Sequence, residues 1–179
     1  MFQTTDMKYG GRALGLNPES VGLLRRSDDA VSNRDELWRR MEKEGYLYLP
    51  GLLRGHEVLD GRLEIMRRLA AGGALETGQP LMDGVPAVDA PEAFSTQRLT
   101  SDNPPLQRLL YDGEMISFYE FFLGGEVRHF DVTWFRVKLP GSDSTTPHYD
   151  IVYMGRGTTE LFTSWVPFGA RRRSRWAAS

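Results

Sequence analysis

Thr146-Pro147-His148-Tyr149-Asp150-Ile151-Val152-Tyr153 places an imidazole and a carboxylate two residues apart in a run that reads as a β-strand. Side chains alternate between the two faces of a strand, so His148 and Asp150 are expected on one side and Tyr149, Ile151 and Tyr153 on the other. A neutral imidazole and a carboxylate held side by side are two of the three protein ligands in the facial triad that binds non-haem Fe(II). The same pair also reads as a polar couple at a strand end, joined by hydrogen bonds and holding no metal. Cysteine is absent, which excludes disulfides, thiol catalysis and thiolate metal sites. His56, His129 and His148 are the only imidazoles, so any metal centre is histidine-poor and carboxylate-assisted.

The other two histidines carry less. His56 falls near the start of a helical run and reads as a surface or capping residue. His129 stands at the head of an apolar alternation, opposite Phe130, Val132 and Trp134, and is a lone candidate ligand before a turn-rich stretch. Gly155-Arg156-Gly157 lacks the lysine and the strand-loop-helix setting of a phosphate loop and is set aside. Phe118, Phe121 and Phe122 are bulky and closely spaced, as core packing requires.

The elements that must position the pair can be read in two halves. Residues 1–31 form an irregular N-terminal arm, with a short helix over 18–24. A helix over 33–44 has Asn33 as cap, Asp35 and Glu36 in its first turn, and Leu37, Trp38 and Met41 as its apolar stripe, with Gly45 as terminator. Residues 46–49 read as a strand. Leu59, Leu63, Met66 and Ala70 repeat at helical spacing as a buried face, closed by Gly72 and Gly73. Residues 72–95 are rich in glycine, proline and small residues and read as loop, either an ordinary surface excursion or one that borders a substrate opening. Pro104 and Pro105 start a short helix, and 114–123 gives another that ends at Gly124 and Gly125. The apolar period then changes to two. Residues 127–139, the His148–Asp150 run and 159–166 read as three strands. The expected fold class is α+β: a helical N-terminal half and a sheet-forming C-terminal half in one domain.

Composition narrows the function classes. The 22 basic and 24 acidic residues give a net charge of −2, which argues against a general nucleic-acid binder. No apolar stretch is long enough to span a membrane, and the N-terminus lacks a basic region followed by an apolar run, so the expectation is a cytoplasmic protein without a membrane partner. The last ten residues hold four arginines, Arg171, Arg172, Arg173 and Arg175.

Several segments in order resemble the phytanoyl-CoA dioxygenase family of Fe(II)- and 2-oxoglutarate-dependent oxygenases. They are Gly45-Tyr46-Leu47-Tyr48-Leu49-Pro50-Gly51-Leu52-Leu53, Leu123-Gly124-Gly125-Glu126-Val127, Lys138-Leu139-Pro140-Gly141, Pro147-His148-Tyr149-Asp150 and Trp165-Val166-Pro167-Phe168-Gly169. The resemblance spans residues 35–169 and implies a partial domain over 32–169. It implies a double-stranded β-helix, or jelly roll, of which this chain holds the first strands. It also implies iron on His148 and Asp150, 2-oxoglutarate as co-substrate with Trp165 shaping its pocket, and hydroxylation of a small or lipid-like substrate.

The family's distal histidine and 2-oxoglutarate-binding arginine have no counterpart, since no histidine follows His148 and the chain after Gly169 is the basic tail 170–179. That ending is the one expected of a truncated or frame-shifted gene. The competing expectation is a non-enzymatic interaction module, completed by a partner or as a homo-oligomer through exposed strand edges.

Overall fold

Helix α1, Arg34–Glu44, begins where the side chain of Asn33 accepts a hydrogen bond from the Glu36 amide. It ends where Gly45 turns left-handed, with φ 75°, and donates its amide to the Met41 carbonyl. Both ends thus satisfy backbone groups that the helix itself cannot. The computed structural model describes residues 8–9, 12–13, 22–91, 94–130, 133–137, 148–155, 157–158 and 160–169. Its further helices are α2 (Gly55–Ala71), α3 (Thr96–Thr100), α4 (Pro104–Tyr111), α5 (Gly113–Leu123) and the single turn α6 (Ile151–Met154). A two-residue antiparallel pair, β1 (Lys8–Tyr9) with β2 (Arg12–Ala13), lies in the N-terminal arm.

The helices adjoin in the order α3, α2, α4, α5, α1. Two apolar clusters hold them. Ile65 and Leu69 of α2 meet Ala74, Leu99 and Leu106, with Phe94, Phe135, Val137 and Phe168 packed around them. Ala30, Leu37 and Phe122 form the second cluster, joined by Trp38, Phe118 and Phe162. Polar side chains close the helix ends. Arg34 donates from Nε to the Phe122 carbonyl and from Nη2 to the Leu123 carbonyl, and Trp38 Nε1 donates to Phe122 as well. A cation is thereby placed against the negative end of α5. Asn103, fully buried, donates to the Leu99 carbonyl and accepts from the Leu106 amide, so one side chain ends α3 and starts α4.

The buried face of α2 is Gly61, Ile65 and Leu69, rotated from the Leu59–Leu63–Met66–Ala70 face expected from spacing. Leu59 is instead 55% exposed. The small Gly61 is what lets the neighbouring aromatic ring of Phe168 approach: a Cβ there would lie 2.9 Å from Phe168 Cε1.

The α+β expectation, with the first strands of a jelly roll, is corrected. Among the described residues the β1–β2 pair is the one strand ladder, and Arg26–Tyr48 and Leu75–Pro86 are isolated bridges. Residues 46–49 keep only the Tyr48 bridge. Residues 127–130, 133–137 and 160–168 are neither helix nor strand and belong to no ladder, and the chain expected to be a strand through Asp150 turns into α6. The physical reason is where the apolar alternation is satisfied. Phe135, Val137, Phe162 and Phe168 are partly buried against the helix-borne core clusters, not beneath a sheet. An extended segment becomes a strand only with another one about 4.8 Å alongside. The expected helix over 18–24 lies outside the described residues up to 21, and 22–24 are not helical; the tail 170–179 also lies outside them. Among the described residues no helix is long and apolar enough to cross a membrane.

Candidate functional site

Residues 127–130, 133–137 and 160–169, together with the helices, line an open groove of about 1260 Å³. Its floor comes from α2 through Ile65, Met66 and Leu69, and its sides from Tyr111, Met115 and Tyr119 of α4 and α5. Ala74, Leu75, Gly84–Pro86 and Phe94 border it. Residues 160–169 form a strap over it that is fixed at several points. Phe162 sets its ring edge-on to Trp38 and Phe122, at 5.8 and 5.3 Å between centroids. Ser164 Oγ and the Tyr119 hydroxyl lie 2.6 Å apart, and burial pushes the Tyr119 phenol upward while the bond to Ser164 opposes the shift. Phe168 packs on Phe135, and its carbonyl accepts from Arg62 Nη1 at 2.7 Å; Arg62 Nη2 donates to Met82 across the loop.

His148 and Asp150 both line this groove. They do not meet by strand alternation. Asp150 has φ −61° and ψ −31° and leads into α6, so the chain turns at Asp150 and no strand continues past it. The two side chains are nevertheless close: His148 Nε2 lies 3.3 Å from Asp150 Oδ1. The other carboxylate oxygen, Oδ2, accepts from Thr163 Oγ1 at 3.0 Å. Neighbouring ligands of an octahedral ion with bonds near 2.1 Å stand about 3 Å apart, so this separation suits two adjacent coordination positions. The donor set, one imidazole and one carboxylate, suits Fe(II) or Mn(II). A third acidic, cysteine or histidine ligand does not join them among the described residues.

Trp165 lines the same groove and is 80% exposed, so it stands at the rim. Tyr149 and Val152, beside the pair, are also exposed. The side chains of Ile151 and Tyr153 lie outside the described residues. His129 is on the groove wall, where its ring stacks on Tyr111 at 4.1 Å and its Nδ1 lies 3.2 Å from the Phe130 carbonyl; it does not join the pair. Tyr111 in turn hydrogen-bonds Thr133. His56 is exposed in the first turn of α2, outside the groove lining. Thr163 and Tyr119 escaped the sequence reading. Thr163 is one hydroxyl in an apolar alternation, and nothing in its neighbours points thirteen residues back to Asp150.

No family model, curated protein or solved structure matches this chain.

Proposed function

We propose that the groove is the small-molecule site of an Fe(II)- and 2-oxoglutarate-dependent oxygenase, in which His148 and Asp150 hold the iron. The observation that carries this reading is the 3.3 Å approach of His148 Nε2 to Asp150 Oδ1 at an open, largely apolar groove. The ordered resemblance of residues 35–169 to the phytanoyl-CoA dioxygenase family supports it; the jelly roll is no part of it. Iron, when bound, supplies oxygen activation. The chain's own part is to orient the carboxylate, to offer an apolar wall from Met66, Leu69 and Met115 to a small or lipid-like substrate, and to set Trp165 at the rim where 2-oxoglutarate would enter. Two protein ligands make a site of modest affinity, and a cytoplasmic setting goes with this reading. Anaerobic titration with Fe(II) and 2-oxoglutarate tests it. A visible charge-transfer band that disappears in His148→Ala and Asp150→Ala is expected; failure to bind the metal and to develop the band overturns it.

A second reading is favoured by one observation. Tyr149, Val152 and Trp165 are each at least 75% exposed around the strap. Such an apolar rim suits a non-enzymatic interaction module that closes on a second copy. A concentration-dependent dimer in light scattering, lost in Trp165→Glu, is its expected signature; a monomer across the micromolar range dismisses it.

A further inference from the structure

We infer that Thr163 is a positioning residue that fixes the Asp150 carboxylate for metal binding. The inference rests on the metal-site reading above and adds a residue to it. A carboxylate on a one-turn helix rotates freely about its side-chain bonds unless something holds it. Here Thr163 Oγ1 donates to Asp150 Oδ2 at 3.0 Å, which leaves Oδ1 turned toward His148 Nε2 at 3.3 Å. One oxygen is engaged by the protein and the other faces the imidazole, the arrangement of a carboxylate that gives a metal a single bond. Outer hydrogen bonds of this kind orient ligands and raise affinity.

What gives Thr163 its authority is its setting. The residue before it, Phe162, is anchored edge-on against the stacked rings of Trp38 and Phe122. The residue after it, Ser164, is bound to the Tyr119 hydroxyl. Both anchors lie on the helical layer, so the hydroxyl between them is held relative to α1 and α5 and not merely to its own loop. Asp150 borrows its orientation from that layer through one hydrogen bond.

Mn(II), whose unpaired electrons are directly observed by electron paramagnetic resonance, serves as the probe on the full chain. Thr163→Val keeps the shape and removes the donor; Thr163→Ala is the second variant, and Thr163→Ser restores the hydroxyl. Val and Ala are expected to weaken Mn(II) binding about tenfold and to alter the bound-ion spectrum, while Ser stays within about twofold of the wild type. A residue that only ties the strap down would change the melting temperature and leave the dissociation constant of the folded protein alone. Wild-type binding that Val and Ala leave unchanged overturns the role of Thr163 and spares the site. Absence of His148- and Asp150-dependent binding in the wild type overturns both.

Discussion

Gly61→Ala sets two effects of known size against each other. On a helix interior, alanine is favoured over glycine by about 1 kcal/mol, so the substitution should stabilise α2 if nothing else touched it. The structure says otherwise. The new Cβ would stand 2.9 Å from Phe168 Cε1 and 3.7 Å from Leu109 Cδ2. The ring cannot swing away cheaply, because it is packed on Phe135 and its own carbonyl is held by Arg62. Inserting a methyl group into such a contact costs about 1–3 kcal/mol. The balance is a net loss of about 1 kcal/mol, or about 2–4 °C in melting temperature for a chain of this length. Removing the obstacle should reverse the sign: in a Phe168→Ala background, Gly61→Ala should gain about 1 kcal/mol from helix propensity. Urea denaturation followed by far-ultraviolet circular dichroism reads all four proteins of the cycle. Equal stabilisation by Gly61→Ala in both backgrounds would refute the docking of the strap on α2.

Phe162→Ala should cost about 2 kcal/mol, below the 3–5 kcal/mol of a fully buried ring because Phe162 is only partly buried, whereas Trp165→Ala should stay within about 0.5 kcal/mol; chemical denaturation compares them. Asn103→Ala removes the cap on the buried Leu106 amide and the shorter of the hydrogen bonds to the Leu99 carbonyl, and should cost about 2 kcal/mol in the same assay. Hydrogen bonds from Arg40 hold the Asp29 carboxyl down at about 2, and those from Arg39 and Arg40 hold Glu36 at about 2. Lowered folded-state values mean that their stabilisation is present above the ordinary values of 3.8 and 4.5 and is lost as pH falls toward about 2. The wild-type melting temperature should therefore fall across that window, and Arg40→Met should flatten the fall; parallel curves for the two proteins would contradict it.

The helices were legible because their signals are local. Asn33, Gly45, Pro104 and Gly124 each act within a turn of the element they bound, and they stand where the sequence places them. Over 133–137 the run is apolar on both faces, and the sequence did not tell which face would turn inward: Phe135 and Val137 pack on the core while Trp134 is half exposed. What alternation does not encode is the surface those side chains meet. The same period-two pattern serves a strand in a sheet and a strap on helices, and only a distant hydrogen-bonding partner distinguishes them. On α2 the regular apolar spacing pointed to Leu59, but the helix turns Gly61 inward because the Phe168 ring needs that space. His148 and Asp150 do lie close, at 3.3 Å, but the chain turns into α6 at Asp150 instead of continuing as the expected strand. Thr163 and Tyr119 depend on contacts across 13 and 45 residues, beyond any local pattern.

The claim that His148 and Asp150 form a metal site is most directly tested by the imidazole nuclear magnetic resonance spectrum, because the chain has only three histidines. Mn(II) broadens nearby nuclei first. At substoichiometric Mn(II), the His148 ring signals should vanish while those of His56, outside the groove, persist, and His129 should respond less than His148. Asp150→Asn should restore the His148 signals at the same Mn(II) concentration. Equal broadening of all three rings, or a His148 ring that Mn(II) leaves sharp, would contradict the site.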